Sequence, residues 1–143
     1  MIIKKLTKKY NGKPVVDEID FTIPKGKVIS FIGPNGAGKS TVMGMISRLI
    51  EQDEGIVSFE GKELKEWNSK ELAKRLAILT QNNATQMKLT VKELVTFGRF
   101  PYSNGNTTKE DEEIIERAIQ YMELEELKNR FIDELSGGQR QRA

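Results

Sequence analysis

The sequence contains Gly33-Pro34-Asn35-Gly36-Ala37-Gly38-Lys39-Ser40, then Thr41, and this stretch matches the pattern G-x-x-x-x-G-K-[ST] at every fixed position. Glycines allow the backbone to fold around a phosphate with its N–H groups pointing inward. The helix that follows such a loop points its N-terminus at the same anion. The pattern therefore predicts a P-loop in which Lys39 reaches the β- and γ-phosphates of a nucleotide and Ser40 binds Mg²⁺.

The residues on either side of this loop fit the same interpretation. Val28–Ile32 is nearly continuously apolar, which is typical of a strand buried on both faces of a parallel sheet. Lys39–Ile50 predicts a helix. Its apolar face carries Val42, Met45, Ile46 and Leu49. A glycine-rich turn that matches by accident is the alternative, but a P-loop must follow a buried strand and open a helix, and both patterns are present.

Strand patterns cover four further segments, which are Ile2–Tyr10, Ile19–Ile23, Gly55–Phe59 and Leu76–Thr80. Ile2–Tyr10 is rich in lysine and is predicted as an edge strand, and Asn11-Gly12 after it predicts a turn. Capping signals open helices at Asn68, Thr90, Thr107 and Ser136. The helix from Thr90 is expected to reach about Phe97, and Gly98–Asn106 is predicted as a loop.

Strands dominate the first third of the chain and helices dominate after Gln81. That order predicts an α/β fold with a helical insertion. We expect residues 1–81 to form the nucleotide-binding core, with a β edge and the P-loop, and residues 82–143 to form a helical subdomain.

Composition narrows the possible functions. The chain of 143 residues has no Cys, which excludes disulfides and thiolate metal sites, and no His, which excludes imidazole chemistry within these residues. It contains no apolar run of about 18 residues, and its start lacks the apolar core of a signal peptide, so we expect a cytoplasmic protein. A net charge of +2 gives no reason to expect nucleic acid as a partner.

A second segment, Leu135-Ser136-Gly137-Gly138-Gln139, resembles another anion site. Ser136 is a good N-cap, the two glycines leave backbone N–H groups uncovered, and Arg140 and Arg142 follow. Taken alone, the segment is better explained as an ordinary helix cap.

Together, these motifs resemble the ATPase subunits of ABC transporters over the whole chain. Leu135–Gln139 matches the signature motif of that family, and Gly33–Thr41 matches its P-loop. Gln81 matches the Q-loop glutamine, and Tyr10 stands where the family has an aromatic residue that stacks on adenine. The resemblance implies a P-loop NTPase fold of ABC type, with a mixed sheet core, an antiparallel β edge and a helical insertion.

The resemblance also implies roles for these residues. ATP would bind with Mg²⁺ to Tyr10 and Gly33–Thr41, and the signature residues Leu135–Gln139 would contact the ATP of a second subunit, most simply a second copy. Lys39 and Gln81 would be catalytic, and Ser40 and Gln81 would ligate Mg²⁺. The alternatives are packing for Tyr10 and an ordinary strand-end polar residue for Gln81.

Some family motifs are not found. The family continues with an apolar strand ending in Asp-Glu and later a His, whereas Val15-Val16-Asp17-Glu18 lies before the P-loop and is interpreted as a strand or turn edge. The helix from Ser136 has no stop signal before Ala143. We therefore expect a chain truncated before the Asp-Glu strand, which binds ATP but hydrolyses it negligibly alone, whereas the full-length protein would be an ABC-type ATPase.

Glu93–Tyr102, with Gly98-Arg99-Phe100-Pro101, and Ser69–Lys74 resemble the importer branch for iron–siderophore complexes, haem and cobalamin, petrobactin importers among them. This implies a peripheral protein on the inner face of the membrane, with transmembrane permease subunits and, indirectly, an extracytoplasmic substrate-binding protein as partners. Asn82–Tyr102 would be the docking surface. A non-transport ABC ATPase and a non-catalytic nucleotide-binding module are the alternatives, and a G-protein is disfavoured because no Asn-Lys-x-Asp motif occurs.

Overall fold

The computed structural model describes residues 1–79 and 88–143. Contacts divide the chain into Met1–Leu72, here called the sheet unit, and Ala73–Ala143, here called the helical unit. The boundary that we predicted at residue 81 lies outside the described residues, so the division into residues 1–81 and 82–143 remains a prediction.

The sheet unit is built on four strands: Ile2–Tyr10 (β1), Lys13–Thr22 (β2), Glu54–Phe59 (β3) and Lys62–Glu63 (β4). All neighbours are antiparallel, in the order β2-β1-β3-β4. β1 therefore pairs on both sides, and its prediction as an edge strand was wrong. Its lysines mark a solvent-facing side of an inner strand, whereas Ile3 and Leu6 on the same strand are buried.

The predicted turn at Asn11-Gly12 is confirmed and closes the β1–β2 hairpin. Asn11 and Gly12 have φ angles of 51° and 75°, as a two-residue turn of type I′ requires. Tyr10 pairs with Lys13 across the turn. The hairpin therefore fixes Tyr10 at the end of an inner strand.

The helix after the P-loop, α1, spans Lys39–Ile46. It begins where the sequence predicts but ends before Ile50, because Arg48 adopts a left-handed φ of 61°. Val42, Met45 and Ile46 are buried as expected, whereas Leu49 lies beyond the helix and is 62% exposed.

Two predicted strands are not formed. Val28–Ile32 lies outside any strand, with Val28 95% and Ile32 94% exposed. Residues 76–79 also lie outside any strand, and Thr80 is not among the described residues. A strand exists through hydrogen bonds to a neighbouring strand, and within residues 1–79 and 88–143 no strand pairs with either segment. The apolar pattern of both segments is typical of strands that pair within a sheet. The described residues provide no strand that pairs with either segment.

Short helices make up most of the remaining chain: Ser69–Ala73 (α2), Val91–Phe97 (α3), Phe100–Ser103 (α4), Lys109–Tyr121 (α5) and Gly137–Arg142 (α6). Capping boxes at Thr90, Thr108 and Ser136 open α3, α5 and α6. The box of α5 is set one residue later than predicted, because Thr108 pairs with Asp111. The predicted loop at Gly98–Asn106 contains α4, in whose first turn Pro101 is tolerated.

The helical unit has its own apolar core. Its buried residues are Val91, Ile115, Ile119, Leu124, Ile132 and Leu135. The N–H of Val91 donates to the carbonyl of Arg130 at 3.0 Å, and the N–H of Ile132 donates to the carbonyl of Leu89 at 2.8 Å. These bonds tie the start of α3 to the segment just before Leu135–Gln139. In the described ranges no helix is both long and apolar enough to span a membrane.

Candidate nucleotide site

The P-loop backbone makes a tight turn directly before α1. Gly36 and Gly38 have φ angles of 82° and 79°, a conformation that residues with a side chain rarely adopt. The N–H of Ala37 donates to the carbonyl of Pro34 at 3.3 Å and closes the turn. The two glycines thus allow the chain to reverse and enter α1 within a few residues.

The start of α1 presents free backbone donors. The first helical bond at this end runs from the N–H of Val42 to the carbonyl of Gly38 at 2.9 Å. The N–H groups of Lys39, Ser40 and Thr41 donate to no other group in the described chain, and no side chain caps the helix. Such donors, together with the helix dipole, form a site for an anion.

The last loop glycine packs against β2. A Cβ at Gly38 would lie 2.8 Å from the carbonyl oxygen of Val15 and 3.2 Å from Cγ2 of Val16. Only a residue without a side chain fits there, both for this contact and for its positive φ. Val15 and Val16, which the sequence indicates only as a strand or turn edge, thus support the loop. The same hairpin carries Tyr10.

Lys39 points its ammonium back at the loop. Its Nζ donates to the carbonyl of Gly33 at 2.8 Å and to that of Pro34 at 2.6 Å. No carboxylate in residues 1–79 and 88–143 forms an ion pair with Lys39, so its positive charge is not neutralised within the described chain. Ser40, next to it on α1, is exposed. The carbonyls of the P-loop itself therefore hold the cation.

The other predicted site residues lie as follows. Tyr10 is 46% exposed, and Nζ of Lys8 lies 5.7 Å from its ring centroid. Lys8 is held by Asp53 at 2.8 Å, and the hydrogen bond to that carboxylate raises the pKa of Lys8. Gln81 lies outside the described residues. Its predicted roles toward Mg²⁺ and water therefore remain predictions.

The segment Leu135–Gln139 forms the start of α6 in the helical unit. Leu135 is buried in the core, and the hydroxyl of Ser136 accepts the N–H of Gln139 at 3.3 Å. The side chain of Gln139 in turn accepts the N–H of Ser136 at 3.0 Å. Gly137 and Gly138 are exposed, with no atom within 4 Å of the place where a Cβ would stand. Both glycines therefore lie at the surface of the helical unit.

A buried ion pair close to α4 has no signal in the sequence pattern. Nε of Arg99 donates to Oδ1 of Asp111 at 2.7 Å, and Asp111 is 5% exposed. The N–H and the hydroxyl of Thr108, and then Arg99, lower the pKa of Asp111. Arg99 also lies 4.0 Å from the ring centroid of Tyr102. Only the Arg99 of the Gly-Arg-aromatic-Pro stretch could have drawn attention to this pair.

Comparisons with known proteins agree with these motifs. The family model described as "ABC transporter" matches residues 16–143. Petrobactin import ATP-binding protein YclP of Bacillus subtilis is 51% identical over 141 residues, which cover 99% of this chain and 56% of the relative. Ferric enterobactin transport ATP-binding protein FepC of Escherichia coli is 41% identical over 142 residues, with 98% and 52% covered.

Among solved structures, an ATP binding subunit of an ABC transporter superposes with a TM-score of 0.83 at 26% identity, over 99% of this chain and 57% of that one. The chain therefore spans about half the length of the curated relatives it matches.

Proposed function

Because this chain belongs to the ABC transporter family, we propose that it binds MgATP at its P-loop and is part of the ATPase that powers an importer of iron–siderophore complexes. The observation that carries the proposal is the geometry at the start of α1. Among the described residues, the N–H groups of residues 39–41 have no other acceptor, and the ammonium of Lys39 bonds only to the loop carbonyls of Gly33 and Pro34. A triphosphate carries the charge and the acceptors that this arrangement lacks.

Each site residue has a role in this proposal. The ammonium of Lys39 exchanges the carbonyls of Gly33 and Pro34 for phosphate oxygens, to which a cation bonds more strongly than to neutral carbonyls. Ser40 supplies a hydroxyl ligand to Mg²⁺, with Gln81 as a further ligand. Tyr10 stacks on adenine, because an aromatic ring at a hairpin end offers a face to a base.

The signature segment is proposed to act on the nucleotide of a second copy of the chain. The open backbone at Gly137 and Gly138 and the start of α6 are suited to a phosphate. In a head-to-tail pair, each ATP would lie between Gly33–Thr41 of one copy and Ser136–Gln139 of the other. Hydrolysis and transport are therefore proposed as properties of the assembled transporter.

The proposed partner at the membrane is a permease subunit. Asn82–Tyr102 is the proposed contact, of which the structure describes residues 88–102. Phe97 is 51%, Phe100 57% and Tyr102 47% exposed, and apolar and aromatic residues of this kind are enriched at interfaces. Arg99 is fixed by Asp111 beneath this surface. The protein would then act at the inner face of the membrane, and an extracytoplasmic binding protein would deliver the cargo to the permease.

The proposed cargo follows from the relatives. YclP is described as a petrobactin importer subunit and FepC as a ferric enterobactin transporter subunit. The direct test is uptake of radiolabelled ferric petrobactin by cells whose chromosomal copy of the full-length gene is deleted and which carry that gene on a plasmid. We expect uptake with the wild type and background uptake with Lys39→Ala at equal protein level. Equal uptake by both, or none by either, would contradict the proposal.

A further inference from the structure

The helix that follows the P-loop ends in a Schellman motif with an arginine in the glycine position. The N–H of Leu49 donates to the carbonyl of Gly44 at 2.8 Å, and the N–H of Arg48 donates to the carbonyl of Met45 at 3.1 Å. These two bonds define the motif, whose central residue takes a left-handed conformation and is usually glycine. Arg48 has that conformation, with a φ of 61°.

A side chain in this conformation is strained, so something other than the helix end has to favour arginine here. Its guanidinium supplies that reason. Nη1 donates to the carbonyl of Trp67 at 2.7 Å and to that of Leu64 at 3.4 Å, and Nη2 donates to the hydroxyl of Ser69 at 2.7 Å. A planar guanidinium can reach several acceptors at once, whereas an ammonium cannot match that fork.

The segment that receives these bonds is itself anchored to the sheet. Nε1 of Trp67 donates to the carbonyl of Phe59 at 3.3 Å, and the two rings lie 5.7 Å apart. Phe59 ends β3. Arg48 therefore links the C-terminal end of α1, through residues 64–69, to the sheet.

We propose that Arg48 is a positioning residue for the nucleotide site, an inference that rests on the proposed ATP binding. α1 has 8 residues and is about 12 Å long at 1.5 Å per residue. Gly38 rests on β2 at one end, and Arg48 fastens the other end. Without the second attachment only the buried face of the helix and Gly38 hold it, and a tilt of α1 moves the N–H groups of residues 39–41 away from the phosphates.

The test measures binding at the phosphate part of the site separately from binding at the part that contacts the base. The full chain is titrated by calorimetry with MgATP and, separately, with magnesium pyrophosphate, which has no base. Arg48→Gly keeps the left-handed backbone without strain and removes only the bridge. We expect it to weaken both ligands by about the same factor, on the order of tenfold. Tyr10→Ala should weaken MgATP and leave pyrophosphate unchanged.

Three further variants control the result. Arg48→Lys and Ser69→Ala retain part of the bridge and should give smaller losses in the same direction. Asn104→Gly relieves a φ of 51° in the helical unit and should leave both affinities unchanged. All titrations are run at a temperature at which circular dichroism shows every variant folded, so a loss of stability alone does not change the measured affinity.

The outcomes distinguish this inference from the proposed function. If the wild type binds both ligands and folded Arg48→Gly binds pyrophosphate equally well, the positioning role of Arg48 is overturned and ATP binding stands. If the wild type binds neither ligand, the proposed function fails, and this inference fails with it.

Discussion

Among single residues, Tyr10 allows the proposed contact with adenine to be tested separately from the phosphate contacts. It stands at the end of β1, about half exposed, and pairs with Lys13 across the hairpin turn. Tyr10→Ala should weaken MgATP binding by about 1–3 kcal/mol, the range for aromatic–base stacking. An aromatic ring can stack on any base, because every base has a π-face, so GTP should compete appreciably with ATP. Tyr121→Ala, at an 88% exposed position, is the control. Equal affinity of Tyr10→Ala and wild type would make Tyr10 only a packing residue.

The Asp111 carboxylate gives a prediction that depends on pH. Its pKa lies below the ordinary value of 3.8 because Thr108 and Arg99 bond to the charged form. A carboxylate of this kind stabilises the fold above pH 3.8 and loses that effect as pH falls through its folded-state pKa. Asp111→Asn should therefore unfold more readily than wild type near neutral pH.

The difference in the free energy of unfolding between Asp111→Asn and the wild type should become smaller as the pH is lowered below 3.8. Urea titrations of both proteins across this range measure it, with the exposed Glu113→Gln as a reference. If this difference in the free energy of unfolding stays constant with pH, Thr108 and Arg99 do not stabilise the charged form of Asp111.

At the scale of the element, helix starts were predictable because a capping box is local. Thr90 and Glu93 stand three residues apart in the sequence and exchange their hydrogen bonds in the structure, at 3.2 and 2.7 Å. Ser136 and Gln139 do the same. The end of α1 was not predictable by the same reasoning, since an arginine occupies the position where a glycine would have signalled it.

Strands were less predictable because they depend on distant partners. β1 was recognised as a strand, but its inner place depends on β3, about fifty residues later. Val28–Ile32 has the right composition for a buried strand and, in the described chain, no strand to pair with. The turn at Gly36 and Gly38 and the start of α1 at Lys39 were predictable, since they depend on the loop residues themselves, whereas the roles of these residues toward ATP remain predictions.

The capping box of α3 should contribute measurably to the free energy of unfolding. Thr90→Ala removes the acceptor for the N–H of Glu93 and should lower the free energy of unfolding by about 1 kcal/mol. Thr107→Ala is the matched control, because the one hydrogen bond that its hydroxyl makes within the described chain is to the side chain of Glu112, at 3.2 Å. Denaturant titration compares the two. A similar small effect for both variants would mean that the α3 start is held by its backbone bonds alone.

Each of the two units has its own buried residues and contains one of the two helix starts that we propose as phosphate sites. The sheet unit holds the P-loop, and the helical unit holds Ser136–Gln139 and the exposed aromatic residues of the proposed permease contact. The P-loop and the proposed permease contact therefore lie in different units.

The permease contact can be tested by crosslinking, because the chain has no cysteine of its own. Single cysteines at Ser103 or Gln86, in the full-length protein with its cognate permease, should crosslink to a cytoplasmic loop of that subunit. Cysteines at Glu54 and Lys65 in the sheet unit are the controls and should not. If only the control positions crosslink, the permease contacts the sheet unit and not the proposed Asn82–Tyr102 surface.

We propose that the P-loop holds the phosphates of ATP through Lys39. Calorimetric titration of the wild type, Lys39→Ala and the control Lys65→Ala with MgATP measures it most directly. Loss of the ammonium leaves phosphate charge uncompensated, and we expect Lys39→Ala to weaken binding by about 3–5 kcal/mol. Lys65, which pairs with Glu63 at the surface, should be replaceable without loss. Equal ATP affinity in the wild type and Lys39→Ala would show that Lys39 does not hold the phosphates.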